Sequence, residues 1–170
     1  NGLLSGAQDV NAMGSIPFLS GVSNGFPLVL IGHLHGDATR AYYADNNGIV
    51  ASAKSGIGDV AGLKGRTIGL PRGTGAEGYL LGLLSKAGLA SGDVTLVNIG
   101  PSELSTALQN GDVDAVSVWE PWVSTAATKV AGSRLVIAGG CETCYDPGTL
   151  LTTKPIAAAK PEALKRFMVA

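Results

Sequence analysis

The segment that most restricts the fold is Arg66-Thr-Ile-Gly-Leu-Pro-Arg-Gly-Thr-Gly-Ala-Glu-Gly-Tyr-Leu-Leu-Gly-Leu-Leu84. Thr67 to Leu70 is an apolar run of strand length, and Pro71 stops it. Gly73, Thr74 and Gly75 then make a turn with no bulky side chain. Beyond it Tyr79, Leu80, Leu83, Leu84 and Ala87 recur at helical spacing. Thr74 is placed as the N-cap, with Glu77 three residues on as its capping-box partner. Such a helix start carries free N–H groups and partial positive charge, worth about 0.3–1 kcal/mol to a nearby anion. The turn reads either as half of a small-anion site or as a tight corner in which Gly73 and Gly75 only permit close packing.

The same alternation runs along the chain. Val10, Ala12 and Met13 mark a short strand, and Gly14-Ser15 caps a helix carrying Ile16, Leu19 and Val22 that ends at Asn24-Gly25. Pro27 to Gly32 and Gly48 to Ser52 read as strands, separated by a polar stretch from His33 to Asn47. Ser55 to Gly65 is a glycine-rich link with one helical turn near Val60, Ala61 and Leu63. Strands follow at Asp93–Asn98, Val113–Val118, Arg134–Ala138 and Thr149–Thr153; helices open at Gly100-Pro-Ser, at Trp119-Glu-Pro-Trp122 and at Lys160-Pro-Glu. This order predicts an α/β fold with a mostly parallel sheet covered on both faces.

Composition narrows the function classes. Hydrophobic residues make up 45% and charged residues 15%, which suits a packed core rather than a disordered chain. A net charge of −1 supplies neither a basic face for nucleic acid nor a polybasic membrane signal. No apolar run approaches the roughly 20 residues of a membrane span. Asn1-Gly-Leu-Leu-Ser-Gly reads as the tail of a helix, and Lys165 to Ala170 stop inside another, so a fragment or a trimmed chain is expected.

Several motifs carry chemistry. Gly73-Thr-Gly-Ala-Glu-Gly78 matches the dinucleotide fingerprint in letters, but Pro71-Arg72 separates it from the strand. The next strand ends at Asn98-Ile99, without an acid for a ribose. No Gly-Lys-Ser/Thr follows, which excludes a phosphate-cleaving loop. Trp119-Glu-Pro-Trp122 follows a buried strand at its carboxyl end, where open α/β sheets bind ligands. Trp119 offers a rigid apolar wall with one N–H donor; Glu120 can accept from an ammonium or orient a donor; Trp122 reads as core. Ser15 would supply a hydroxyl and backbone amides, or act as an ordinary cap. His33 and His35 share a strand face, with Asp37 a weak third ligand, and read as a polar wall rather than a metal site. Arg72 either adds charge to an anion site or sits in water. Cys141-Glu-Thr-Cys144 lacks the second pair of a zinc site and the helix start of a thioredoxin-like pair. A small-loop disulfide, in an exported chain, or a reduced pair are the alternatives.

Three stretches resemble one family: Gly62 to Gly75, Leu108 to Trp122, and Leu4 to Gly14. They are similar to the substrate-binding proteins of ABC importers for nitrate, taurine and aliphatic sulfonates, a group that also holds thiamine-precursor binding proteins. The resemblance implies a type II periplasmic-binding-protein fold, with two α/β lobes joined by hinge strands and a small anionic solute clamped between them. It implies a binding protein without cofactor or metal, periplasmic or anchored outside the cell, that delivers to a membrane permease. Carried over by position, Gly14 and Ser15 would line lobe one, Gly73, Thr74 and Gly75 lobe two, and Trp119 and Glu120 the cleft near the hinge. Residues 1–54 would form a partial lobe one with the first hinge strand, 55–147 a complete lobe two, and 148–170 the return strand and first lobe-one helices. An incomplete lobe one would bare apolar surface, to be covered by a second copy, as a homo-oligomer or swapped dimer, or left disordered. The rival readings are an enzyme on the same fold, either thiamine-pyrimidine synthase-like or desulfinase-like, using Cys141, Cys144, His33 or His35; a dinucleotide binder; and a non-binding remnant.

Overall fold

The computed structural model describes residues 2–34, 46–141, 144 and 148–169. Along the chain these form β1 (Asn11–Gly14), α1 (Ser15–Ser23), β2 (Leu28–His33), β3 (Asn47–Ala51), β4 (Thr67–Leu70), α2 (Gly75–Lys86) and β5 (Thr95–Asn98). They continue as α3 (Leu104–Asn110), β6 (Ala115–Trp119), α4 (Trp122–Lys129), β7 (Arg134–Ala138), β8 (Gly148–Thr153), α5 (Lys154–Ala159) and α6 (Pro161–Met168). The chain divides into a smaller unit, Asn1–Arg40 with Asp146–Ala170, and a larger one, Ala41–Tyr145. β3 is a strand of the larger unit's sheet.

Strand side chains alternate between faces, and in the larger unit both faces are buried. The sheet order is β5-β4-β6-β3-β7. Ile49, Ala51, Ile68, Leu70 and Ala115 turn to one side, where Tyr79, Leu80, Leu83 and Leu84 of α2 cover them. Val50, Val116 and Val118 turn to the other and meet Leu104 and Leu108 of α3 and Val123 of α4. Each fully buried aliphatic side chain contributes about 1.5–3 kcal/mol. Two buried hydroxyls tie α2 down: Ser117 Oγ donates to Ala76 O at 3.1 Å, and Tyr79 OH donates to Gly139 O at 2.7 Å.

The sheet is mixed, which corrects the expectation of a mostly parallel one. β4 is parallel to β5 and β6, but β3 lies antiparallel to both β6 and β7. From β4 to β6 each return crosses through a helix, the connection that parallel pairing needs. β3 precedes these strands and enters the sheet between β6 and β7. The smaller unit's sheet, β1-β8-β2, is antiparallel throughout.

Other local expectations shift. Residues 2–6 form turns, with Gly6 N–H donating to Leu3 O at 3.2 Å, and not a helix tail. Trp119 closes β6, and α4 starts three residues later, at Trp122. An additional helix, α5, follows β8, capped by Thr153 Oγ1 accepting from Ile156 N–H at 3.4 Å, with a proline in its first turn. Among the described residues no helix is long and apolar enough to cross a membrane.

The smaller unit buries little. Leu3, Leu28 and Leu151 form its core, with Met13 and Phe18 packed against them. Leu19, Phe26, Leu34, Phe167 and Val169 are exposed, Leu19 at 60% and Val169 at 86%.

Two measurements check this packing. A Cβ on Gly48 would come 2.9 Å from Val123 Cγ1 and 3.1 Å from the Ile137 carbonyl oxygen. Gly48→Ala is expected to lower the unfolding free energy by about 1–3 kcal/mol in a urea titration, since backbone cannot yield. Asp93 accepts from Ala90 N–H at 2.8 Å and faces Lys64 Nζ at 3.5 Å; first the backbone bond and then the ammonium hold its carboxyl below the ordinary value of 3.8. A depressed folded value means that its stabilisation is present above the ordinary value and lost as pH falls through the folded one. Asp93→Asn is expected to flatten that part of the acid-unfolding curve and leave the curve near neutral pH parallel to the parent's.

Candidate functional site

Gly73 has φ +72°, a left-handed conformation that glycine adopts without steric cost, and it turns the chain from β4 toward α2. Neighbouring groups fix that turn. Ile99 N–H donates to Leu70 O at 3.1 Å, and Arg72 N–H donates to Asn98 Oδ1 at 3.0 Å. Thr74 Oγ1 donates to Pro71 O at 2.7 Å. The Glu77 carboxylate accepts from Gly73 N–H at 2.7 Å with one oxygen and from Arg72 Nε at 2.8 Å with the other.

This arrangement corrects the capping box. Thr74 sits at the N-cap position, yet its hydroxyl is spent on Pro71 and caps nothing. Glu77 reaches past it to Gly73, where Arg72 adds a charge-assisted bond that a neutral cap lacks. Arg72, half-exposed, is therefore paired rather than simply solvated. The Gly75 and Ala76 amides are the first of α2 and have no acceptor within the helix.

The second turn leaves β6. Trp119 is half-buried and packs on the cluster of Val50, Leu104 and Val116. Glu120 accepts from Ser124 N–H at 3.1 Å and from Ser124 Oγ at 2.9 Å, so its carboxylate caps α4. Its own N–H donates to Asn46 O at 2.7 Å.

Topology places these two turns side by side. β4 and β6 are parallel neighbours, with Ile68 opposite Ala115 and Gly69 opposite Val116. The chain leaves β4 into α2 on one face and leaves β6 into α4 on the other. Where successive helices part to opposite faces, a crevice opens at the carboxyl ends of the strands. Gly73, Thr74, Gly75, Trp119 and Glu120 all sit at those ends. Gly14 and Ser15 belong to the smaller unit: Gly14 ends β1 opposite Gly148, Ser15 opens α1, and Thr149 Oγ1 donates to Met13 O at 2.7 Å.

A recess of about 190 Å³ lies elsewhere in the larger unit, lined by Ser52, Lys54, Gln109, Asp114 and Ala131. It faces the amino end of β6, away from both turns. His33 is exposed at the end of β2; His35 and Asp37 lie outside the described residues. Cys141 and Cys144 are joined in a disulfide.

Sequence reasoning missed Asn98, whose side chain holds the β4 exit. The available signal was its place as the last residue of the strand after α2, beside Leu70 in parallel register. Glu77→Ala is expected to lower stability by about 1 kcal/mol, as loss of a helix cap does, with a smaller loss for half-exposed Arg72→Ala; chemical denaturation of both variants checks the order.

Chains of known name share this architecture. Over 167 residues the chain is 34% identical to a Bacillus subtilis (strain 168) protein whose name gives it as an aliphatic sulfonates-binding protein, covering 98% of this chain and 48% of that one. The crystal structure of the periplasmic aliphatic sulphonate binding protein SsuA from Escherichia coli superposes with a TM-score of 0.80 at 26% identity, covering 99% of this chain and 55% of that one. The alkanesulfonate-binding protein SsuA from Xanthomonas axonopodis pv. citri, bound to MOPS, does so with a TM-score of 0.84 at 28% identity, covering 98% and 55%. The desulfurization enzyme DSZB, at 20% identity and a TM-score of 0.63, shares the fold. The chain spans about half the length of these relatives. Its α/β fold is of the type II periplasmic-binding-protein kind. The family model described as NMT1/THI5 like matches residues 2–170, and the chain belongs to that family.

Proposed function

We propose that this chain serves as solute-binding polypeptide of an ABC importer and takes a small sulfonate-like anion without transforming it. The observation that carries the reading is the pair of turns at the carboxyl ends of β4 and β6, in a chain similar along its length to proteins named as sulfonate binders. Glu77 occupies the Gly73 amide, so the Gly75 and Ala76 amides are the donors assigned to the oxyanion, in the frame held by Gly73 and Thr74. Trp119 supplies the wall for the apolar part of the solute. Glu120, by capping α4, holds the corner that presents Trp119. Gly14 and Ser15 are assigned as further solute contacts. Micromolar affinity requires about 8 kcal/mol, more than one helix start supplies, so several amides and excluded water must act together.

The proposal extends to the setting. A membrane permease receives the solute, and the protein works in the periplasm or anchored outside the cell. The Cys141–Cys144 disulfide suits an oxidising compartment. A second copy, in a homo-oligomer or swapped dimer, would cover the exposed apolar residues of the smaller unit. The enzyme reading loses its cysteines, since a disulfide provides no thiolate. The dinucleotide reading finds Asn98 bonded to Arg72 where a ribose would need an acid.

Isothermal titration with ethanesulfonate, taurine and nitrate tests the assignment. Micromolar binding of a sulfonate is expected. Gly73→Pro, which forbids the positive φ, and Trp119→Ala should each weaken it about tenfold or more while the circular dichroism spectrum stays unchanged. Ser15→Ala should weaken it less. Unchanged binding in the first two variants would remove the assigned site. A thermal shift with NAD in place of the sulfonates would point to the dinucleotide reading instead.

A further inference from the structure

The turns that leave β4, β5 and β6 carry more negative than positive charge. Among the described residues there, the ionised side chains are Arg72, Glu77, Glu103 and Glu120, one guanidinium against three carboxylates. The other described cations of the larger unit stand elsewhere along the chain. Lys54, Lys64 and Arg66 precede β4, Lys86 and Lys129 end α2 and α4, and Arg134 opens β7.

The one guanidinium is already committed. Arg72 Nε lies 2.8 Å from Glu77 Oε1, so its charge answers Glu77 rather than an incoming solute. The other Glu77 oxygen holds the Gly73 amide at 2.7 Å, and Gly73 stands two residues before Gly75. At 3.8 Å per Cα step, that carboxylate is no farther than about 10 Å from the Gly75 amide. The Glu77 side chain is 18% exposed, which limits its screening by water and salt. Glu120 accepts from Ser124 at the start of α4. Glu103 follows β5, the strand beside β4, where Leu70 pairs with Asn98. What remains to neutralise an anion is backbone, and a helix start amounts to about half a positive charge. The start of α4 already faces Glu120, and that of α2 is shared with Glu77. A first negative charge on a solute meets these donors; a second meets three carboxylates and no uncommitted cation among the described residues of the turns.

Resting on the solute-binding reading of the two turns, we infer that the site selects a singly charged oxyanion against a doubly charged one of the same shape, and that Glu77, Glu103 and Glu120 set this preference. Glu77 contributes most, because it is the least exposed of the three and is bonded within the turn itself. Its carboxylate acts as a built-in anion that takes part of the helix start's capacity for negative charge. Glu103 and Glu120, both exposed, add repulsion that solvent weakens.

Isothermal titration with ethanesulfonate and with ethylphosphonate, repeated as pH is raised through the second ionisation of the phosphonate, tests the preference. The sulfonate keeps one charge throughout and should hold its affinity. The phosphonate should bind about tenfold more weakly as the dianion than as the monoanion. Glu77→Gln keeps an oxygen for the Gly73 amide and removes the charge, so it should shrink that ratio by about threefold or more. Glu103→Gln should shrink it by a smaller factor. The ratio is read within each variant, so a general loss of affinity does not move it. Sulfonate binding alongside a phosphonate affinity that stays level or rises as the second charge appears would overturn the preference and leave the solute-binding reading standing. So would a ratio unchanged in both variants. Failure of either ligand to bind the parent chain would remove that reading and the preference with it.

Discussion

The parallel register of β4 against β6 is the constraint on which the candidate site depends. With Ile68 opposite Ala115 and Gly69 opposite Val116, β6 runs two residues beyond the end of β4, and the two strands release the chain to opposite faces of the sheet. Gly69 is part of that fit. A Cβ there would come 3.1 Å from Ile99 Cδ1 and 3.3 Å from both Leu104 Cδ2 and Val113 Cγ1, so α3 closes over a strand position that has no side chain. The neighbouring positions, Ile68 and Leu70, point to the opposite face and fill the space under α2. One small residue between two large ones lets helices pack on both sides of the same strand, and that two-sided packing separates α2 from α4 at the carboxyl end.

At the β4 exit the first donors of the turn are taken by groups of the chain itself. The first turn of α2 carries an internal anion, Glu77, bound to Gly73 N–H and to Arg72. Asn98 holds the preceding amide from the neighbouring strand. The Arg72 and Gly73 amides are therefore already engaged, which in the proposed site would fix the turn before a solute binds. Rigidity of this kind lowers the ordering cost of binding, because amides that already point in fixed directions lose little freedom when an acceptor joins them. On the β6 side Glu120 plays the corresponding part, fixing the start of α4 through Ser124 and with it the corner that follows Trp119.

Much of this was legible in the sequence because the signals were local. Thr67–Leu70 and Arg134–Ala138 are bounded by proline, glycine and polar residues, and both strands fall where the pattern places them. The helix spacing from Tyr79 to Leu84 matches the buried face of α2. What depended on pairing was not legible. An apolar run such as Gly48-Ile-Val-Ala reads the same in either strand direction, so the antiparallel entry of β3 was hidden. Capping motifs assume the nearest donor, whereas Glu77 chose the donor beside a cation. Asn98 and Tyr79 act on partners 26 and 60 residues away, and no window of sequence shows such contacts. A division into two units, here one well packed and one with exposed Leu19, Phe26 and Phe167, is suggested in the sequence by the glycine-rich link from Ser55 to Gly65 as well as by the resemblance to two-lobed binding proteins.

In the proposed site, amides at the start of α2 and the indole at the end of the neighbouring strand β6 act on the same guest. The most direct measurement is nuclear magnetic resonance of the nitrogen-15-labelled chain titrated with an alkanesulfonate. The Gly75 and Ala76 amides and the Trp119 indole N–H should shift together along one saturable curve. Shifts confined to the recess around Ser52 and Gln109, or no saturable shift at Gly75, Ala76 and Trp119, would contradict it.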